Sequence, residues 1–307
     1  MLAKIREFFA LRQVLEVETP VLGHAIGTDP ELDFFTTQYR VASVHNKMFL
    51  QTSPEFAMKR LLAAGSGSIY QICKAFRQGE SGRFHNPEFT ILEWYRLDFD
   101  LQQLMDETAS LLIELLDATL SINKIEKISY QSVFKRYTGI DPINAELTDF
   151  IACAKLYGLP EAEYICGNNI SCWLDFLFSH RVQPALAKQT LYLVYGYPAC
   201  QAALARLNPD NAGVAERFEV FINGVELANG YHELTCFKEQ SVRFKRDLTI
   251  RKSRGEEDLQ PDQRLLAALE QGLPDCSGIA IGLDRVLMLA TDMTHIDKVL
   301  SFAMQRA

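Results

Sequence analysis

An Asn-Gly pair between two β-rich runs constrains this chain more than any other stretch: Arg217-Phe-Glu-Val-Phe-Ile-Asn-Gly-Val-Glu-Leu-Ala-Asn-Gly230. Asn-Gly is the preferred pair of a two-residue type I′ turn, because both central residues take positive φ. The turn predicts an antiparallel hairpin and a register. Ile222 should face Val225, Phe221 face Glu226, Val220 face Leu227 and Glu219 face Ala228. Cross-strand partners share a face, so Glu219 and Glu226 are expected on one face, a diagonal step of about 7–8 Å apart at the backbone. Two carboxylates so placed either converge on one cation or are unrelated glutamates of a solvated face. Magnesium suits the first case, since one or two carboxylates commonly hold it while phosphates and waters complete its octahedron. Phe221 on the same face argues against full exposure.

The rest of the chain alternates helix and strand signals. Leu2, Ile5, Phe8, Phe9 and Leu11 recur at helical spacing over residues 2–12. Glu18-Thr19-Pro20 follows, and the residue before a proline avoids the helical region. Ser53-Pro54-Glu55 opens a second helix, with Ser53 as its cap and Pro54 in the first turn. Ile69 to Phe76 and Phe89 to Tyr95 flank a polar loop and read as a long hairpin. Leu101 to Leu116 is an amphipathic helix. Residues 121–190 read as a mostly helical insertion without a chemical motif. Leu191 to Tyr197 reads as a strand, Glu239 to Arg254 as an exposed charged helix and Pro261 to Gln271 as another helix. Ile279 to Ile281 reads as a strand running into a helix over Asp284 to Ala290. No linker rich in Gly, Pro or Ser interrupts the 307 residues. The expectation is one α+β domain over residues 1–307, an antiparallel sheet flanked by helices.

Charge and cysteine usage narrow the function. Lys plus Arg number 31 against 39 Asp plus Glu, a formal charge of -8. An acidic chain lacks the electrostatic footprint of broad, non-specific nucleic-acid binding. No apolar run approaches the roughly 20 residues of a membrane helix, and the charged N-terminal segment does not read as a signal peptide. Seven cysteines without a Cys-x-x-Cys spacing fit free thiols in a reducing cytoplasm.

Two further segments carry chemistry. In the 69–95 hairpin, Arg77 closes the first strand, Glu93 and Tyr95 share a face of the second, and the loop brings Arg83 and His85. An arginine beside a carboxylate-bearing sheet either positions a phosphate through bidentate contact or belongs to an ordinary surface hairpin. Ser277-Gly278-Ile-Ala-Ile-Gly282-Leu-Asp-Arg285 runs a strand of small residues into a helix with Arg285 in its first turn. Small residues let a ligand approach the backbone.

In this order the elements resemble the catalytic domain of class II aminoacyl-tRNA synthetases. Val17-Glu18-Thr19-Pro20 after a helix is similar to the dimer-interface motif. Phe76-Arg77 through Phe89 is similar to the ATP-loop motif, and Gly282-Leu-Asp-Arg285 to the final motif. Ser53-Pro54-Glu55, His85-Asn-Pro-Glu-Phe89, Glu93-Trp-Tyr95 and Glu226-Leu-Ala-Asn229-Gly-Tyr-His-Glu233 resemble the lysyl branch. Two departures point within that branch. The first motif begins near residue 5, so no anticodon-binding barrel is expected, and Ala280 stands where lysyl-tRNA synthetases carry glycine. Both are similar to the truncated paralogues that attach (R)-β-lysine to a lysine of translation elongation factor P. Arg83-Phe-His-Asn-Pro-Glu-Phe-Thr, Glu93-Trp-Tyr-Arg96 and Pro274-Asp-Cys-Ser-Gly278 resemble that family most. In a third departure, Gly79 stands two residues after the motif arginine where the class often has Glu, which leaves the adenine contact to Glu80 or His85.

The resemblance implies an ATP- and magnesium-dependent ligase of the cytoplasm that works through an aminoacyl-adenylate. It implies Arg77 at the α-phosphate and Arg285 at the γ-phosphate, Glu80 and His85 at the nucleotide, and Glu219 and Glu226 at magnesium. A diammonium substrate needs buried carboxylates, because an unpaired charge in a pocket is costly. Glu55, Glu93 and Glu233 are expected to supply them, with Tyr95, Asn229 and Tyr231 as walls, Ser53 at the mouth and Ala280 where the backbone meets the substrate. A homodimer is implied too, with Phe8, Phe9, Val14 and Val17 as apolar faces to bury. Two alternatives stand beside this reading: a homologue that acylates tRNA or another amine, and a non-catalytic regulator. Regulators of this kind usually lose a phosphate arginine or a metal carboxylate, whereas Arg77, Glu219, Glu226 and Arg285 are all present.

Overall fold

The computed structural model describes residues 1–41, 44–116 and 120–307. The N-terminal part runs α1 (Leu2–Leu11), β1 (Leu15–Glu16), β2 (Leu22–Gly23), β3 (Thr36–Val41), β4 (Val44–Leu50), α2 (Glu55–Ala63), β5 (Ile69–Phe76), β6 (Glu88–Leu97) and α3 (Leu101–Leu116). A middle part follows with β7 (Lys124–Ser129), α4 (Tyr130–Thr138), α5 (Leu147–Leu156), α6 (Glu161–Cys166), α7 (Ile170–Leu177) and β8 (Thr190–Pro198). The C-terminal part holds β9 (Leu207–Asn208), β10 (Asn211–Ile222), β11 (Val225–His232), α8 (Phe237–Ser253), α9 (Gln263–Gln271), β12 (Cys276–Gly282) and α10 (Leu283–Ala290).

One sheet organises these elements, in the order β1-β5-β6-β12-β11-β10-β8-β7, with β9 on β10. The six strands from β5 to β8 pair antiparallel, while β1 and β7 add parallel edges. Each central strand alternates. Leu92, Trp94, Ile279, Ile281, Phe218 and Val220 point to an apolar core shared with α1, α3 and α10. Phe9 of α1 stacks on Tyr70 with ring centroids 4.3 Å apart and meets Trp94 edge-on at 5.3 Å. Trp94 donates its Nε1–H to the Glu107 carboxylate of α3 at 3.0 Å, so the polar end of the largest core side chain is satisfied.

Several expectations are corrected. The Asn223-Gly224 turn forms, with φ of 53° and 75°, and Ile222–Val225 and Phe221–Glu226 pair as expected. Beyond them a bulge shifts the ladder, so that Val220 pairs with Ala228 and Glu219 with Asn229 rather than Ala228. Leu227 is the extra residue, and it turns with Ala228 toward the core. The 121–190 stretch is not helical throughout: β7 joins the sheet edge, parallel to β8. Its helices and β8 enclose a second core around Trp173, Phe134 and Phe150. The strands β2, β4 and β3 form a separate three-stranded sheet that the residue pattern did not announce. The α8 helix is not an exposed surface helix, because Gln240, Phe244 and Arg251 are buried. The α2 helix starts at Glu55 with Pro54 at its cap, one residue later than read. Phe8, Phe9 and Val14 are buried in this chain's own core, because α1 lies on the sheet rather than standing off it. The apolar residues left exposed on this segment are Leu2, Leu11 and Leu15.

Candidate active site

The face of the sheet opposite the α1–α3 core lines a cleft of about 1440 Å³. From β6 come Ile91, Glu93 and Tyr95, from β12 Gly278, Ala280 and Gly282, and from β11 and the residue just after it Asn229, Tyr231 and Glu233. The period of two explains this set, since every second residue of each strand faces the same way. The bulge at Leu227 adds one more. It brings Glu226 to the face of Asn229 and Tyr231, which a regular ladder would have denied it. Ser53, Glu55, Arg77, Glu80, His85 and Arg285 complete the expected residues on the cleft wall. Glu219 is the exception and does not line the cleft. It lies behind Arg217, whose guanidinium pairs with it, and accepts the Tyr197 hydroxyl at 2.6 Å.

Three carboxylates sit together at one end. Glu93 accepts the hydroxyls of Ser53 and Tyr95, each at 2.7 Å. Ser53 also accepts the Glu55 backbone N–H at 3.0 Å, so the helix start and the carboxylate share one hydroxyl. Glu55 and Glu233 flank Lys59, whose Nζ lies 2.6 Å from each. Glu93 and Glu233 are 2% and 1% exposed. Burial, with the Glu55 charge adding to it, pushes the Glu93 carboxyl up to about 7 against the opposing bonds from Ser53 and Tyr95. Burial pushes Glu233 up to about 8, with Lys59 opposing and Glu55 reinforcing. Gly278 makes room for this group. A Cβ there would collide with the Tyr95 ring and come within 2.7 Å of Glu233 Oε1.

The other end is cationic. Arg77 lies 3.5 Å from Glu80, and its side chain is 28% exposed on the cleft wall, open to a ligand. Arg285 donates from Nε to the Phe84 carbonyl at 3.1 Å and from Nη1 to the Glu226 carbonyl at 2.8 Å, while its Nη2 meets His85 Nε2 at 2.7 Å. Burial first, and then the Arg285 charge, hold the His85 imidazole below its usual range, which suits it to accept from the guanidinium. Arg83 is turned away and donates to the Thr294 carbonyl at 2.8 Å.

The donor set for a cation is mixed. Glu226 is 43% exposed at its side chain and lies 4.0 Å from Arg285, open to a ligand. Glu219 is 13% exposed at its side chain and is pushed up to about 7 by desolvation, with Arg217 opposing and the charge of Glu226 adding. The mutual repulsion of the two carboxylates is what a divalent cation would relieve, and each carboxylate oxygen of Glu219 keeps a second lone pair. Among the described residues no three His, Cys, Asp or Glu side chains form a metal cluster. A cation here would therefore take phosphate and water for most of its shell, the habit of magnesium.

Sequence reasoning missed Lys59, Arg217 and Asp175. Arg217 bonds Asn229 Oδ1 at 3.1 Å and the Gln201 carbonyl at 2.6 Å. Asp175 of α7 accepts from Gln201 at 2.6 Å and lines the cleft, so the middle segment reaches the site. The i,i+4 spacing of Glu55 and Lys59 was the available signal for the first of these.

The family model described as tRNA synthetases class II (D, K and N) matches residues 1–306. The elongation factor P–(R)-β-lysine ligase of Pasteurella multocida is 47% identical over 309 residues, covering 100% of this chain and 94% of that one. That of Vibrio cholerae is 47% identical over 315 residues with the same coverage. That of Haemophilus influenzae is 45% identical over 309 residues, again with 100% and 94% covered. No helix among the described residues is long and apolar enough to cross a membrane.

The raised carboxyls set a pH dependence. Glu93 and Glu233 hold protons in the folded chain up to about 7 and about 8, whereas the ordinary value is 4.5. Between those limits the folded state binds more protons than the unfolded one, so stability falls as pH rises. The ligand-free protein is expected to melt at progressively lower temperature from about pH 5 to about pH 8. Glu93→Gln, neutral throughout, should flatten that slope. Thermal melts of both proteins across the range check it, and parallel slopes would remove Glu93 from the account.

Proposed function

The chain belongs to the class II tRNA synthetases and, within them, to the elongation factor P–(R)-β-lysine ligases, and from that premise we propose that it activates (R)-β-lysine with ATP and transfers it to the ε-amine of a lysine on elongation factor P. The observation that carries the reading is one cleft with three carboxylates at one end and two arginines at the other. A diamino acid fits the first end and a triphosphate the second.

In the first step a carboxylate oxygen of the amino acid attacks the α-phosphorus of ATP. The new O–P bond forms as the bond to the β-phosphate breaks, and pyrophosphate leaves. Arg77, partly exposed on the cleft wall, would hold the α-phosphate. Arg285, fixed by two carbonyls and His85, would meet the γ-phosphate. Glu226 and Glu219 would hold magnesium with ATP, and the ion would supply positive charge to the phosphates. Catalysis of this kind is mostly positioning and electrostatics. In the second step the neutral ε-amine of the acceptor attacks the adenylate carbonyl. An amide C–N bond forms, AMP departs with the C–O bonding pair, and the nitrogen sheds a proton to solvent. Glu80 and His85, both on the cleft wall, are the candidates for the adenine contact. All seven cysteines are free thiols, which suits work in the cytoplasm.

Three outcomes are expected. Incubated with ATP and radiolabelled β-lysine, elongation factor P is labelled and tRNA is a poor acceptor, in line with the acidic balance of the chain. Efficient labelling of tRNA with none of the factor would overturn the reading. The second outcome concerns Ala280, half-buried on the cleft wall between Glu93 of β6 and Asn229 of β11. Its methyl crowds an α-amino group beside the carboxylate and spares a β-amino group one carbon further on. A misfit of one methylene is typically worth roughly 10–200-fold, so Ala280→Gly should raise the specificity constant for α-lysine relative to β-lysine. An unchanged ratio in pyrophosphate exchange would show that the methyl does not select. Third, Leu2, Leu11 and Leu15 leave an apolar strip on α1 and β1 for a second copy, and light scattering at micromolar concentration should give the mass of a dimer.

A further inference from the structure

Lys59 is a charge buried where no ligand reaches it. It sits one turn into α2, is 2% exposed and is not part of the cleft wall. Its ammonium is shared between Glu55 Oε1 and Glu233 Oε2, both at 2.6 Å. The charges of both carboxylates outweigh the burial that by itself would neutralise it, so it stays protonated. Glu93 takes neutral donors only, Ser53 and Tyr95.

The tyrosines and thiols around this cluster carry no charge. Burial pushes Cys73 of β5 up to about 12, and raises Tyr95 of β6, Tyr231 of β11 and Cys276 of β12 as well. Arg217, beyond Tyr231, is matched by Glu219. Ionised, the cluster therefore counts three carboxylates against one ammonium, a net charge of minus two.

We propose that Lys59 is the positioning residue that sets the charge and shape of the amino-acid pocket, pinning Glu55 and Glu233 so that the wall presents two uncompensated negative charges to a substrate with two ammonium groups. The inference rests on the diamino-acid reading above and deepens it. Without Lys59 the pocket has one negative charge too many and no anchor for two of its carboxylates. A carboxyl in such a group keeps a proton to higher pH, and a cationic substrate must displace it. A mono-ammonium substrate leaves one negative charge unmatched in the native pocket, which is how charge count becomes selectivity.

The test is pyrophosphate exchange with α-lysine and β-lysine across pH 6 to 9, on the whole chain, with wild type, Lys59→Met, Glu233→Gln and the double variant. Lys59→Met is expected to raise KM at pH 7 by about tenfold or more. The pH at which KM falls should move upward by about one unit, with kcat changing less than KM. The double variant, again at minus two, should return the KM profile toward wild type and should bind the diamino acid more tightly than Glu233→Gln alone, which stands at minus one. That last comparison holds even where Lys59→Met fails to fold, since the double variant removes the buried ammonium together with one of the two carboxylates that hold it. An unmoved KM profile in Lys59→Met, or equal KM for Glu233→Gln and the double variant, would overturn the role of Lys59 while leaving the ligase reading intact. A wild type that exchanges pyrophosphate with no diamino acid would overturn both.

Discussion

A sheet with two unlike faces governs this molecule. Along β6, β12 and β11, one set of alternate residues packs into hydrocarbon and the other into a charged cleft. Trp94 and Glu93 are neighbours in sequence, yet one lies in the apolar core and the other among carboxylates. A slip of one residue in any of these strands would exchange the two environments. The cost of the exchange is large on both sides, so core and site enforce the same register. Within these three strands the bulge at Leu227 is where the chain departs from alternation. Its effect is to send two successive apolar residues inward and to keep Glu226 with the polar set.

Burying carboxylates in that polar face requires compensation. Isolated, each would lose its hydration and take up a proton. The fold answers in three ways. Glu93 is held by hydroxyls, Glu233 by the ammonium of Lys59, and Glu219 by the guanidinium of Arg217 with the Tyr197 hydroxyl. The compensation is incomplete, which is why Glu93, Glu219 and Glu233 all remain raised. Incomplete compensation is the form a cation-binding wall must take. A pocket neutralised entirely by its own residues would have nothing left to offer a ligand, whereas one with no internal cation would hold protons in the ligand's place.

The legible part of this arrangement was local. Alternation placed Glu93 with Tyr95, the Asn223-Gly224 pair placed the turn, and the spacing of small residues marked β12 as a close-approach strand. The bulge was not legible, because turn chemistry sets register only near the turn and nothing in Val220 or Leu227 announces the slip. Lys59 was not legible for a different reason. Glu55 and Lys59 at i,i+4 usually form a surface pair worth little, and only the approach of Glu233, just past the end of β11, turns it into a buried triad. The parallel strand β7 escaped because its partner, β8, lies some sixty residues away, and Lys124-Ile-Glu-Lys-Ile-Ser alone has too little apolar character to stand out. The family motifs carried the identity of the site, but the residues behind the motifs had to come from packing.

The least legible wall of the cleft is also the one held least by hydrocarbon. Residues 24–32 form another part of the cleft wall. Their apolar anchor is small, formed by Ile26, Phe49 and Leu259 with Phe34 and Leu248. Polar bonds between distant segments do the rest. Arg251 reaches the carbonyls of Asp29 and Leu32 at 2.8 and 3.2 Å, and Thr28 donates to Asp247 at 3.0 Å. Segments with few apolar contacts and many side chain–backbone bonds belong to the low-stability end of a fold. Here that end coincides with the rim through which substrates must pass, while the carboxylates sit against the strands with the deepest core. Rigid charge behind and a lightly anchored rim in front let one sheet bind a dication firmly and still admit a second, much larger reactant to the adenylate.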